Sequence, residues 1–157
     1  MKSNYYCNMT QFMTDFKHVL VPFDGSENGI DSIEAASKIA GNLGGKITIL
    51  KCVEKKMPKF LFFKTKQDKL DAAIEVNAAE NEASKFRKIA KKYGVNVTTE
   101  IKKIDDDPHQ HIIDYVNRND VDLVVMSPSK DINTTEIHES IVDKISKNIN
   151  CSLLRLQ

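Results

Sequence analysis

Between Ser127 and Ser140 the chain carries hydroxyls at Ser127, Ser129, Thr134, Thr135 and Ser140, an ammonium at Lys130, and no glycine. Hydroxyls both donate and accept, and a lysine adds a compact positive charge, so this set could hold an anion through side chains. It lacks the residue that lets backbone N–H groups approach an anion without a Cβ in the way. A second group is Asp24-Gly25-Ser26, where the carboxylate either bonds its own backbone in an Asx turn or contacts a ligand. Asp105, Asp106, Asp107, His109 and His111 have the types of a metal cluster. Pro108 and Gln110, however, make the same stretch a helix start with an acidic N-cap and a capping box, which accounts for the acidic residues. Cys7, Cys52 and Cys151 are far apart and odd in number, so they read as free thiols, with Cys52 an inert core residue inside an apolar strand. His18 and His138 have no nucleophile or carboxylate at motif spacing, and Ser127 lacks the glycines of a nucleophile elbow. No catalytic arrangement follows from these residues.

The elements that must position these groups are marked by periodicity. Leu123, Val124, Val125 and Met126 form an unbroken apolar run, the pattern of a strand buried on both faces of a parallel sheet. Loops leaving the carboxyl ends of such strands line the ligand crevice, so the stretch from Ser127 to Glu139 should border it. Val19, Leu20, Val21 and Phe23 make a first strand, checked by Pro22 and the Asp24-Gly25-Ser26 turn. Ser26 is the expected N-cap of a helix whose buried face is Ile30, Ile33, Ala36, Ala40 and Leu43, ended by Gly44-Gly45. Lys46 to Glu54 is a second strand. A long helix is predicted from about Asp68 to Tyr93, with Leu70, Ile74, Ala83, Phe86, Ala90 and Tyr93 on one face and Gly94 as its stop. Val95, Val97, Thr99 and Ile101 alternate as a third strand, and a short helix carries Ile112, Ile113 and Val116. Ile141, Ile145 and Ile149 mark a last helix, and Ser152 to Leu156 a last strand. Five strands alternating with four helices imply an α/β fold, a three-layer sandwich with a mainly parallel open sheet.

A chain of 157 residues suits one domain, here 16–157, preceded by a loosely held tail over 1–15. Its net charge of +1 gives no overall pull toward nucleic acid or an anionic membrane. No apolar run approaches the roughly 20 residues of a membrane span, and the first residues lack the apolar centre of a signal peptide. A cytoplasmic location is expected. Lys55 to Lys69 departs from the pattern, with lysines around Met57, Phe60, Leu61, Phe62 and Phe63. It reads first as a lid over the long helix, and alternatively as a docking surface for a partner or an interfacial segment.

With these segments placed, the chain resembles the universal stress protein family from about Phe16 to Leu156. HVLVPFDGSE resembles the family's opening strand and turn, MSPS falls where its glycine loop follows the fourth strand, and ESIVDKISKNINCSLLRL resembles its closing helix and strand. The resemblance implies an adenine nucleotide alpha hydrolase-like fold and a homodimer paired through the C-terminal strand, with a protein partner as a further expectation. In ATP-binding members the contacts to adenine and ribose would fall on Pro22, Asp24 and Cys52. The triphosphate loop would fall on Ser127, Lys130, Glu139 and Ser140, of which only Ser140 keeps the family's residue type, and the loop is one residue short. Glu139 would add a full negative charge where a phosphate should sit. The expectation is therefore a non-enzymatic stress-response binding module with no resident cofactor and weak or no ATP binding. The alternative is a member that binds ATP or AMP and hydrolyses it slowly. The His-x-Gly-His and Ser-Gly-Gly-x-Asp-Ser signatures of related adenylyl-transfer enzymes do not occur in the chain.

Overall fold

The computed structural model describes residues 16–23, 25–54, 66–127 and 141–156. In chain order the elements are β1 (His18–Pro22), α1 (Glu27–Leu43), β2 (Lys46–Glu54), α2 (Lys66–Lys92) and β3 (Asn96–Ile104), followed by α3 (Pro108–Arg118), β4 (Leu123–Met126), α4 (Ile141–Asn148) and β5 (Ser152–Arg155). The strands form one five-stranded sheet in the order β3-β2-β1-β4-β5, and every pairing is parallel. Alternation along the strands divides the core in two. Val19, Val21, Phe23, Ile47 and Ile49 meet Ile33, Ala36 and Ala40 of α1 and Phe86 and Ala90 of α2. Leu20, Leu50, Val124 and Met126 meet Ile112, Ile113 and Val116 of α3 and Val142 and Ile145 of α4. The central strands β1 and β4 are thus covered on both faces, as their unbroken apolar runs require.

The helix signals are realised closely. Ser26 accepts the N–H of Gly29 as N-cap of α1, and Asp107 accepts that of His109 ahead of Pro108 in α3. Gln110 differs from expectation: its side-chain amide donates to Asp114 at 2.9 Å, one turn along the helix. Gly41 allows α1 to close on the end of α2, since a Cβ there would stand 2.6 Å from the carbonyl oxygen of Tyr93.

Leu70 and Ile74, expected inside, are 55% and 58% exposed, and Val76 is 57% exposed. The reason is length. The 27 residues of α2 run about 40 Å at 1.5 Å each, whereas the nine of β3 span about 30 Å. The helix lies on the sheet only toward its C-terminal end, where Phe86 and Ala90 are buried. Ile101 on β3 is likewise 44% exposed, although the alternation through Val97 and Thr99 predicts it inside. Of the expected lid over 55–69, residues 66–69 belong to the start of α2, while 55–65 and the expected tail over 1–15 lie outside the described residues.

At the amino ends of the strands a polar network closes the sheet. Asp122 accepts the backbone N–H groups of Lys17 at 2.9 Å and His18 at 2.8 Å, and its own N–H donates to the His18 carbonyl. The His18 ring spans from the Asn119 carbonyl, 3.0 Å from Nδ1, to the Thr48 hydroxyl, 2.9 Å from Nε2. On the same face Tyr115 donates to Glu100 at 2.8 Å.

Candidate functional site

The strand order reverses between β1 and β4: the chain winds outward through β2 and β3 and returns to the other side of β1. In open α/β sheets a crevice forms at such a switch point, outside the carboxyl ends of the two strands. The ladders on the two sides of β1 differ in length. β1 pairs with β4 through Val19↔Leu123 and Leu20↔Val124, but with β2 as far as Pro22↔Leu50, and the Phe23 N–H then donates to the Leu50 carbonyl at 2.9 Å. Pro22 has no N–H to give, so the ladder to β4 stops while that to β2 continues. On the α3 and α4 side the strand ends present Pro22, Cys52 and Met126. On the other side Phe23 is anchored edge-on against Phe86, with ring centres 4.8 Å apart, and Lys51 lies over its ring and pairs with Glu82 of α2.

Ser127, the first residue beyond β4, reaches across to α1. Its hydroxyl donates to the Asn28 carbonyl at 2.9 Å and lies 2.8 Å from the Ser32 hydroxyl, which itself lies 3.3 Å from the same carbonyl. Ser32 is fully buried on the core face of α1, and a buried hydroxyl needs such partners. The only signal of this contact in the sequence is a serine at a core position of an apolar helix face.

Among the described residues, the thiols of Cys52 and Cys151 are not poised as nucleophiles. Burial pushes the half-buried Cys52 up, with Lys102 offsetting part of the shift, and pushes Cys151 up to about 11 with help from the Asp122 charge. His18 and Thr48 do form an imidazole–hydroxyl pair, but they are 6% and 5% exposed and lie at the opposite end of the sheet from the crevice. A substrate has no access to them. His109 and His111 stand 2.6 Å from Asp107 and Asp106 respectively. Among the described residues, no group of three or more His, Cys, Asp or Glu could hold a metal.

A family model described as the universal stress protein family matches residues 15–156. The chain belongs to the universal stress protein family. Among solved structures, it is similar to the universal stress protein UspA from Lactobacillus plantarum, at 19% identity and a TM-score of 0.66, over 90% of this chain and 98% of that one. A universal stress protein in complex with cAMP aligns at 15% identity and a TM-score of 0.65, over 91% and 98% of the two chains. One from Archaeoglobus fulgidus in complex with dAMP aligns at 12% identity and a TM-score of 0.60, over 91% and 99%. No curated protein sequence matches the chain.

Of the universal stress protein residues carried over from the sequence, Pro22, Cys52 and Ser127 are described, and all three lie at the carboxyl ends of adjacent strands. Pro22 and Cys52 share the α3 and α4 side. Ser127 turns its hydroxyl away to α1. Asp24, Lys130, Glu139 and Ser140 lie outside the described residues. Gly25, at φ 93°, provides the left-handed turn between β1 and the Ser26 cap that a residue with a Cβ would strain to make.

Proposed function

We propose that this universal stress protein works without catalysis, as a cytoplasmic homodimeric binding module that takes an adenosine-type ligand and holds ATP weakly or not at all. The supporting observation is the switch point itself. The β1–β4 ladder ends two residues before the β1–β2 ladder, and Pro22 and Cys52 stand at these strand ends, where open α/β sheets take a ligand such as a base and its sugar. The cAMP and dAMP complexes of two structural neighbours favour a nucleotide with a single phosphate as the ligand class. The segment from Ser127 to Ser140 has no glycine to bring backbone N–H groups onto a longer phosphate chain, and Glu139 opposes an anion by charge. The dimer is supported by β5, an edge strand whose Leu153 and Leu154 are only partly buried. No helix among the described residues is long and apolar enough to cross a membrane.

Titration calorimetry with adenosine, AMP and ATP tests the reading. Adenosine and AMP should bind, and ATP should bind no more tightly than adenosine. Low-micromolar ATP binding abolished by Asp24→Ala would instead establish the ATP-binding alternative. Sedimentation of a chain lacking Ser152 to Gln157 tests the assembly: monomer or aggregate is expected, and a soluble dimer would exclude β5 as the interface.

A further inference from the structure

We infer that the outward face of α2 is a docking surface for a helix of another protein, one that is apolar at one end and rich in Asp or Glu at the other.

The pattern of α2 reverses along its length. Its sheet side buries Phe86 and Ala90 near the end, and counting back by threes and fours along that side gives Ala83, Ala79, Glu75 and Asp71, all half-buried. In the first half of the helix the sheet side is thus acidic, while Leu70, Ala73 and Ile74 are turned away from it and exposed. Continued at the same spacing, the outward side passes through the exposed Asn77 and Asn81 and ends on Lys85, Lys88 and Lys92. From Leu70 to Lys92 this stripe runs about 33 Å at 1.5 Å per residue, and no acid interrupts it.

The cationic end is strong. Residues 83–92 hold five cations, Arg87 and Lys91 among them, and no acid. All five are exposed, and none forms a salt bridge among the described residues. Glu34 of α1, whose carboxyl feels Lys92, is already held by the Tyr93 hydroxyl and by Lys38. Lys91 and Lys92 in the last turn suffice for the helix dipole, so the other three cations have no structural duty there.

The stripe selects its occupant. A second copy of this chain fits poorly: laid in the same direction two stripes set lysine against lysine, and laid in opposite directions they set Leu70 and Ile74 against lysines. A bilayer asks for an apolar face along the whole helix, which Asn77 and Asn81 interrupt, and a nucleic acid has no use for Leu70 and Ile74. Within the chain, residues 1–15 and 55–65 hold a single acid between them, Asp15. Residues 128–140 do carry acids, but they leave and rejoin the sheet at its carboxyl end, and a stretch of that length reaches about 45 Å at most, too little to run to the amino end and back. A foreign helix with apolar residues at one end and acids at the other answers both ends of the stripe. Running antiparallel to α2, it would carry those acids in its own first turns, where the dipole favours them.

The probes are two fluorescein-labelled synthetic helical peptides of equal composition, one with Glu in its first two turns and Leu in its last two, the other with the same Glu and Leu interspersed. In anisotropy titrations of the full chain the segregated peptide should bind at least about tenfold more tightly. Lys85→Gln, Lys88→Gln and Lys92→Gln together should weaken it about tenfold and flatten its salt dependence. Leu70→Ser with Ile74→Ser should also weaken it about tenfold but leave the salt dependence in place. Because both side chains are exposed, that double variant should melt within about 4 °C of the natural chain. Equal affinity for the two peptides, or a serine double variant that binds the segregated peptide as the natural chain does, would overturn the inference. A larger fall in melting temperature would overturn it by placing Leu70 and Ile74 under another part of the chain. Dissociation of the particle by the same variant in sedimentation would make the occupant a second copy instead. Binding to vesicles of phosphatidylcholine and phosphatidylserine, with no binding of the segregated peptide, would make it a lipid surface.

Discussion

The two ends of the β1 and β4 pair are fastened by different chemistry. At the amino end a carboxylate, Asp122, takes two backbone N–H groups of the neighbouring strand, and the His18 ring is sealed between Asn119 and Thr48. At the carboxyl end two hydroxyls share one carbonyl across a gap where strand pairing has stopped. Among the described residues, the large apolar side chains that stay exposed follow the same polarity. Leu70, Ile74 and Val76 lie in the first half of α2, Ile101 in the second half of β3 and Ile141 at the start of α4, all toward the carboxyl end in this parallel fold. Charged and buried hydrogen bonds are concentrated at one end of the strands and the proposed ligand site lies at the other, so the two should be separable by mutation.

Asp122→Ala should give the largest effect. Hydrogen bonds to a charged acceptor contribute about 1.5–3 kcal/mol each, and two are lost, so about 3 kcal/mol of stability should disappear in denaturant unfolding. Adenosine affinity should be unchanged, and a matching loss of affinity would show that the ends are not independent. Ser127→Ala at the other end should cost about 1 kcal/mol, since only neutral hydrogen bonds are removed.

A smaller effect is expected at alkaline pH. The Cys151 thiol is held up at about 11, from an ordinary 9.0, by burial and then by the Asp122 charge. A group whose folded value is raised contributes stability that is whole below its unfolded value and is lost as pH rises through its folded one. Melting temperature should therefore fall between about pH 9 and pH 11, and Cys151→Ala should flatten that part of the profile. The smallest effect is expected at Leu70→Ser and Ile74→Ser, each within about 0.5 kcal/mol because the side chains are already exposed. A substantial drop in melting temperature for either would show that these side chains are covered in solution.

Features written locally were legible before any coordinates. Ser26, Asp107 and Pro108 announce helix starts, Gly44 and Gly94 helix ends, and the apolar runs of β1 and β4 a sheet covered on both faces. What escaped was set by distant partners. The helical spacing of Leu70 and Ile74 carries no record of how far the sheet beneath extends, so a periodic face was mistaken for a buried one. The Ser32 and Ser127 contact joins residues 95 apart, and neither serine differs in type from a solvated one. Gln110 could accept from the Asp107 N–H in a capping box or donate to Asp114, and the choice of Asp114 depends on side-chain geometry rather than spacing. At the crevice, Pro22 and Cys52 were singled out by the family resemblance, whereas neither the resemblance nor the spacing gave the direction of the Ser127 hydroxyl.

The remaining edge of the sheet bears on how large an assembly can grow. β3 is a nine-residue edge strand whose carboxyl half carries Glu100, Lys102 and Lys103. Charged residues on an edge, lysines above all, discourage a further strand from adding there. If two copies join through the short β5, each turns this β3 outward, where Glu100, Lys102 and Lys103 flank the exposed Ile101 and disfavour recruitment of a third. The same strand that makes one margin inhospitable would thereby cap the particle at two subunits and keep it from extending into fibres.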